Sequence, residues 1–259
     1  MAALRSGRCG MAEPARIHDV IDVAPAFTLA DVEAMNRRFD GVETSVILAE
    51  LLTGELAGRT AAVSSFGTES AVLLHLVASI DKTVPVIFIN TQKMFGETLA
   101  YRDELAERLG LTDLRVHRPD PYRLAARDPT SLRWSFDPDG CCEIRKVEPL
   151  RAALAPFDAW LSGRKGFQGK TRAALPRFEL DEGRLKVNPL ADWDKARLDA
   201  YFAEHQLPRH PLEAQGFASI GCVPCTTKVL PGEDPRSGRW RGWDKTECGI
   251  HEPAFDPAF

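Results

Sequence analysis

Hydrophobic and polar residues alternate along this chain in two rhythms. TLADVEAMNRRF opens on a plausible Thr28 cap and reads as a helix. ETSVILAELLTGEL reads as a second, strongly apolar helix, and GETLAYRDELAERLGL as an amphipathic one that Gly110 ends. Between them, RTAAVSSFGTESAVLLHLVASI divides into a buried strand over Ala61–Ser65, a turn over Phe66–Thr68 and a helix over Glu69–Ile80. VPVIFIN is a near-continuous apolar run, the pattern of a strand covered on both faces. LRVHRP and FDAWLSG read as a third and a fourth strand, and RFELDEGRLKVNPL as a hairpin turning at Glu182-Gly183. A helix is expected from just after Cys142 to about Ala153, and another over DKARLDAYFAEHQL, capped by Asp192 or Asp194. Strand alternates with helix, so an α/β fold with a mostly parallel sheet and right-handed crossovers is the economical architecture. From Pro208 onward Pro and Gly are frequent and the periodicity disappears. The chain therefore divides into an N-terminal extension (1–27, read as disordered), an α/β domain (28–207) and a C-terminal segment (208–259).

Composition changes this picture little. The chain has 259 residues, 44% of them hydrophobic and 27% charged, which is ordinary for a globular protein large enough to need no disulfide staples. The best apolar run, TSVILAELL, is too short for a bilayer and is broken by Glu50. The start carries arginines but no apolar segment of the kind a signal peptide needs; Met11 competes with Met1 as the true start. A net charge of −4 speaks against general nucleic-acid binding, yet leaves room for a local basic pocket.

Candidate chemistry clusters in four places. SSFGTES (Ser64–Ser70) leaves a strand and enters a helix, where free N–H groups and hydroxyls suit a phosphate-like anion and Gly67 lets a ligand approach the backbone. It is neither a Walker loop nor a dinucleotide fingerprint, and an ordinary Ser-capped helix is the plain alternative. The cysteines Cys141-Cys142 and, in GCVPC, Cys222 and Cys225 form two close pairs. In a cytoplasmic chain such pairs suit zinc or an iron–sulfur cluster; adjacent cysteines diverge, which favours the several irons of a cluster over one ion. Cys248, in DKTECGIH, stands apart beside cationic and titratable groups, either as a reactive thiol or as a spare exposed one. SGRKGFQGKTR supplies Arg164, Lys165, Lys170 and Arg172 after a strand end, and DPRSGRWRGW supplies Arg236, Arg239 and Arg241 with Trp240 and Trp243. Arginine forks suit phosphate and sulfate oxygens, although most charge runs are solvated faces. His75 and His117 read as packing or surface residues.

With these residues in view, the sequence resembles the assimilatory sulfonucleotide reductases, in their iron–sulfur adenosine 5′-phosphosulfate (APS) reductase subgroup. SSFGTES, CCEIRKVEPL, SGRK, GCVPC, RSGRW and KTECGIH carry the likeness, from about Gly58 to His251. The resemblance implies a Rossmann-like adenine-nucleotide fold related to the PP-loop ATP pyrophosphatases. It further implies a 4Fe–4S cluster on Cys141, Cys142, Cys222 and Cys225, Cys248 as nucleophile, and Lys146 between cluster and substrate. Ser64, Ser65, Gly67 and Thr68 would line the nucleotide site, and Arg164, Arg236, Arg239 and His251 would face the phosphosulfate. Two stretches depart from the family pattern, Asn90-Thr91-Gln92 after the second strand and Thr226-Thr227-Lys228 after the Cys pair, and both are expected near the nucleotide pocket.

The implied reaction is reduction of APS to sulfite and AMP through an S-sulfocysteine on Cys248, with thioredoxin or glutaredoxin as reductant. A mobile tail follows, since Cys248 must meet both substrate and a protein thiol. The 3′-phosphorylated nucleotide (PAPS) is the rival substrate, alone or alongside APS. Outside the reductases stand a zinc-bound PP-loop enzyme and a redox-sensing binding module. A homo-oligomer is compatible with the sequence, which does not specify one.

Overall fold

Six short strands build one sheet: β1 (Thr60–Val63), β2 (Val86–Ile89), β3 (Leu114–His117), β4 (Ala159–Ser162), β5 (Phe178–Asp181) and β6 (Arg184–Val187). In this computed structural model, which describes residues 25–169 and 172–251, the strand order is β3-β2-β1-β4-β6-β5. All neighbours are parallel except the β5/β6 hairpin. The chain runs outward from β1 to β3, then returns to lay β4 on the other side of β1, in register from Thr60↔Ala159 to Val63↔Ser162. That reversal is a topological switch point, where the loops at the carboxyl ends of β1 and β4 part and leave a crevice.

Helices α1 (Leu29–Arg38), α2 (Thr44–Thr53), α3 (Ser70–Ile80) and α4 (Gly96–Leu109) precede α5 (Pro121–Arg127), α6 (Pro138–Cys142), α7 (Glu148–Leu154) and α8 (Lys195–Glu204). Thr28 caps α1 in a reciprocal box with Asp31, Gly110 ends α4 at φ 67°, and Asp194 rather than Asp192 caps α8. Asp192 instead pairs with Arg177. One face of the sheet packs against α1–α4 and α8 through Leu48, Leu74, Leu105, Phe88 and Leu198; the other meets α7 through Ile87, Leu150, Leu154 and Trp160. Burial on both faces explains the unbroken apolar run of β2, whose Val86, Ile87 and Phe88 are 0% exposed, each side chain contributing roughly 1.5–3 kcal/mol.

Several expectations shift. Strand β1 ends at Val63, so Ser64 and Ser65 belong to the turn. The helix expected after Cys142 starts earlier, at Pro138, where Asp137 caps it, and passes through a π turn over Glu143–Val147 before α7. Within the segment read as disordered, residues 25–27 are described, and the Phe27 N–H donates to the Gly183 carbonyl at 3.0 Å. Residues 1–24, with Cys9 and Met11, lie outside the described residues, as does Lys170. The segment after Pro208 is built of short 3-10 turns, and its Ile250 returns to pack against the α7 face of the sheet. Among the described residues no helix is long and apolar enough to cross a membrane.

Candidate active site

A cavity of about 640 Å³ fills the crevice at the switch point. Its first wall is the turn from β1 into α3, where Ser64, Ser65, Gly67 and Thr68 all line the space. Phe66 shapes this turn: it sits at φ 50°, and its fully buried ring meets Phe88 edge-on at 5.5 Å. Gly67 lacks that strain, and a Cβ on it would meet its neighbours at 3.6 Å or more, so no contact within this backbone requires its smallness. The Thr68 hydroxyl donates to the Ala218 carbonyl at 3.2 Å, tying the turn to the C-terminal segment. Residue Glu69 occupies the cap of α3 and makes no side-chain cap bond, which sets aside the Ser-capped alternative, and this helix start lines the crevice through Glu69, Ser70, Leu73 and Leu74.

The second wall is cationic. Arg164, Lys165 and Arg172 follow β4 and are 7%, 2% and 5% exposed. Arg164 pairs with Glu179 and approaches Asn188; Lys165 reaches Glu69 at 3.1 Å. Burial, then the Arg172 charge, draws Arg164 down to about 10, still cationic at neutral pH. Arg236 enters from the C-terminal segment and is likewise drawn to about 10, by burial and by Arg172. Trp240, at φ 48° and 3% exposed, carries Arg236, Arg239 and Lys245 around its ring at 5.7, 4.4 and 5.5 Å. Gly238 makes this bend feasible, since a Cβ there would stand 2.3 Å from the Thr227 carbonyl oxygen. His251 stacks on Trp160 with ring centroids 6.2 Å apart, and its buried Nδ1 has no hydrogen-bond partner. Burial foremost, then Lys186, Arg164, Arg172 and Arg236, hold its pKa well below the ordinary range, so it is neutral. Arg241 does not join this wall; it is exposed and pairs with Glu233, and Trp243 is 43% exposed.

The third wall holds Lys146 and Cys248, with the paired cysteines next to Lys146 outside the lining. Cys141 and Cys142 close α6, where consecutive residues point about 100° apart. Cys222 precedes a single 3-10 turn ending at Cys225, whose N–H donates back to the Cys222 carbonyl at 3.0 Å. The pairs share one locus: burial pushes the Cys141 thiol up to about 11, and Cys222 and Cys225 both add to the shift. Thr91 Oγ1 lies 3.2 Å from Cys222 Sγ, and Arg145 acts on Cys141. All five described cysteines are unbridged, and among the described residues no three Cys, His, Asp or Glu side chains gather around one ion-sized point.

Cys248 is 8% exposed, which overturns the reading of a spare surface thiol. It lines the cavity together with Lys146. The neighbouring Cys142 thiol foremost, with help from Lys146 and the Ile250 N–H, holds the Cys248 thiol well below its usual range against the opposing effect of burial. Burial opposes the charge on Lys146, but the Cys248, Cys222 and Cys142 sulfurs outweigh it and raise its pKa.

The structure thus brings Ser64, Ser65, Gly67, Thr68, Lys146, Arg164, Arg236, Arg239, Cys248 and His251 to one cavity, with Cys141, Cys142, Cys222 and Cys225 behind Lys146. The two departing stretches flank the cavity, next to the lining residues Ile89 and Val229. Asn90-Thr91-Gln92 and Thr226-Thr227-Lys228 do not themselves line it, and they brace the Cys222–Cys225 loop: Thr91 touches Cys222, and the Thr226 hydroxyl accepts the Gly221 N–H at 3.1 Å. Glu69 and Glu247 carry no role in the sequence reading, and Thr91 enters it only as part of a departing stretch. Only position hinted at them, at a helix start, at a strand's carboxyl end and beside Cys248.

Comparison with known proteins bears on this cavity. A model of the phosphoadenosine phosphosulfate reductase domain matches residues 59–228. An adenosine 5′-phosphosulfate reductase of Mesorhizobium japonicum is 56% identical over 191 residues, covering 74% of this chain and 75% of that protein. A phosphoadenosine 5′-phosphosulfate reductase of Gloeobacter violaceus is 39% identical over 226 residues, covering 85% and 93%. The crystal structure of phosphoadenylyl-sulfate reductase from Candida auris, a phosphate complex, superposes with a TM-score of 0.66 at 26% identity, covering 80% of this chain and 100% of that one. Candida glabrata FMN adenylyltransferase, with a TM-score of 0.51 at 18% identity over 86% of this chain and 79% of that one, shares the fold alone. By its family model and by these relatives, the chain belongs to the phosphoadenosine phosphosulfate reductase family.

Proposed function

We propose that this chain is a cytoplasmic oxidoreductase of sulfate assimilation that reduces adenosine 5′-phosphosulfate to sulfite and AMP through a sulfonated Cys248. One juxtaposition carries the reading: a single thiol, outside the two cysteine pairs, lines the same cavity as a helix N-terminus, Lys146, Arg164, Arg236, Arg239 and an unpartnered His251. The cavity volume of about 640 Å³ suits a nucleotide, and its walls suit an anion at one end. The names of the relatives at 56% and 53% identity favour APS over PAPS.

The chemistry must solve a charge problem. A thiolate nearing a sulfo group sets like charges at about 4 Å, which costs roughly 4 kcal/mol at an effective dielectric near 20. Lys146 on one side and the arginines on the other offset that repulsion. The Cys248 sulfur attacks the sulfate sulfur, the S–O bond to the phosphate breaks, and AMP leaves with the electron pair. A thiolate of thioredoxin or glutaredoxin then attacks Cys248 Sγ; the S–S bond breaks, sulfite departs, and a mixed disulfide remains. The carrier's second thiol resolves it, so the dithiol supplies both electrons. His251, kept neutral, presents a ring nitrogen to the anion without adding charge.

Cys141, Cys142, Cys222 and Cys225 would hold a 4Fe–4S cluster. The donor set is chemically apt, four thiols in two close pairs, and metal binding would ionise Cys141 and Cys225, whose thiols burial holds raised. Bound there, the cluster supplies a fixed charge behind Lys146. Were Cys142 held as a ligand, it would have no proton to offer Cys248, and Lys146 would be the main local support for a Cys248 thiolate.

The test is to purify the full chain without oxygen and add APS, or PAPS, with no reductant. APS should leave one sulfite-sized adduct on Cys248, and Cys248→Ser should remove the adduct while iron content stays. No adduct from APS in iron-replete protein overturns the reading; an adduct from PAPS alone reassigns the substrate.

A further inference from the structure

Glu247 sits one residue before the nucleophile and places a carboxylate between Arg172 and Arg236 of the cationic wall. Its side chain is 15% exposed. Arg172 grips it with two parallel bonds, Nε to Oε2 at 2.6 Å and Nη2 to Oε1 at 2.7 Å. Arg236 adds a third at 3.0 Å, and the backbone N–H of Cys248 donates to Oε1 at 2.9 Å. Arg236 also donates to the Thr246 carbonyl at 3.1 Å, so it holds the tail on both sides of the peptide.

Arg172 itself is fixed. It is 5% exposed, and its remaining arm donates to Gln168 Oε1 at 2.6 Å. The Gln168 amide donates onward to Glu69 at 2.7 Å, at the cap of α3. A continuous run of hydrogen bonds thus joins the nucleotide turn to the backbone of Cys248. Arg172 comes from the α/β body and Glu247 from the C-terminal segment, so this pair links the two. Charge-assisted bidentate pairs of this kind are among the strongest and most directional contacts a side chain makes.

We infer that Glu247 is a positioning residue: through Arg172 it latches the tail onto the α/β body and sets Cys248 at the cavity. The role in turnover rests on the reductase reading above; the latch itself does not. A latch of this kind has two consequences. In the ligand-free protein it limits access to Cys248. During turnover it favours attack on the bound nucleotide and must let go before a protein thiol reaches the sulfonated cysteine.

Glu247→Gln keeps the shape and removes the charge; Glu247→Asp keeps the charge on a shorter arm; Arg172→Gln removes the partner. The first measurement is alkylation of Cys248 by iodoacetamide in the full ligand-free chain, followed by peptide mass spectrometry, with the melting temperature as a check on folding. Alkylation should accelerate by roughly tenfold or more in E247Q and in R172Q. The double variant should react no faster than either single one, because both remove the same contact. E247D should stay near the parent chain. The second measurement is single-turnover sulfonation by saturating APS: E247Q should slow it by roughly tenfold while KM for APS stays level or falls, because two arginines are freed for the substrate. Alkylation unchanged within about twofold in E247Q and R172Q, with folding intact, overturns the latch. Faster alkylation in variants of a chain that APS never sulfonates upholds the latch and overturns the reductase reading instead.

Discussion

His210 shows how one side chain binds local geometry to pH. Its Nδ1 accepts the Leu212 N–H at 3.2 Å, so the ring proton sits on Nε2, 3.0 Å from Thr98 Oγ1. The residue is 1% exposed and its ring lies 4.9 Å from that of Tyr101. Protonation of Nδ1 would break the backbone bond, and burial pushes the imidazole down to about 4, against a small opposing pull from Glu97. The sign of the linkage follows. Below the ordinary value of 6.5 the unfolded chain takes up a proton that the folded chain refuses until about pH 4. This contribution to stability is therefore complete above 6.5 and shrinks as pH falls toward 4. Urea midpoints should drop between about pH 7 and about pH 5, and His210→Gln should lower the pH 7 midpoint while flattening that slope. A slope equal to that of the parent chain would remove His210 as its source.

Among the elements, the β5/β6 hairpin was legible from the sequence, and the reason is local. Glu182 and Gly183 take φ 49° and 78°, the double left-handed turn that matches strand twist and that an X-Gly pair announces. The same locality made Gly110 and the alternation of strand and helix readable, and narrowed the cap of α8 to Asp192 or Asp194. Pro138 after Asp137 and Pro121 after Asp120 carry the same kind of start signal, and both open helices with the Asp as cap, so the missed start of the cysteine helix was written in the chain. The π turn over Glu143–Val147 was not, because no local pattern encodes it. Nor was the company that Glu247 and Thr91 keep: their partners are distant in sequence, and the tail has no period from which to read a face. The readable hairpin carries a prediction of its own. A Cβ on Gly183 would adopt a left-handed φ and meet Pro25 Cβ at 2.8 Å, so Gly183→Ala should cost about 1–2 kcal/mol in chemical denaturation. Gly67→Ala, at a position with neither strain nor clash, should leave stability within about 0.5 kcal/mol.

At the scale of the whole molecule, the site is an assembly of segments that only the completed fold brings together, and the buried pair of Asp128 and Arg145 is one of its pins. Their side chains are 1% and 3% exposed. Arg145, from the π turn after the cysteine pair, donates to Asp128 at 2.7 Å, to the Thr91 carbonyl at 3.0 Å and to Ser131 Oγ at 3.1 Å. Asp128, at the end of α5, also accepts the Arg133 N–H at 3.0 Å. One guanidinium therefore joins the cysteine helix to the loop leaving β2, and Thr91 in that loop touches Cys222. Burial raises the Asp128 pKa, yet the bonds from Arg145 and Arg133 outweigh it and keep the carboxyl ionised. Taking both charges from water consumes most of what their attraction returns, so the pair adds little net stability, but leaving one charge without the other is expensive. Asp128→Asn should therefore lose about 3–5 kcal/mol of unfolding free energy, measured by urea denaturation with an unchanged m-value. Replacing both partners by apolar residues, Asp128→Leu with Arg145→Met, should recover most of that loss in stability. It should not recover the link to Thr91, so the Cys222 thiol should become more reactive toward iodoacetamide in the double variant despite its restored stability. If the double variant is as unstable as the single one, or if Cys222 reacts as in the parent chain, then the pair serves local packing rather than holding the two cysteine segments in register.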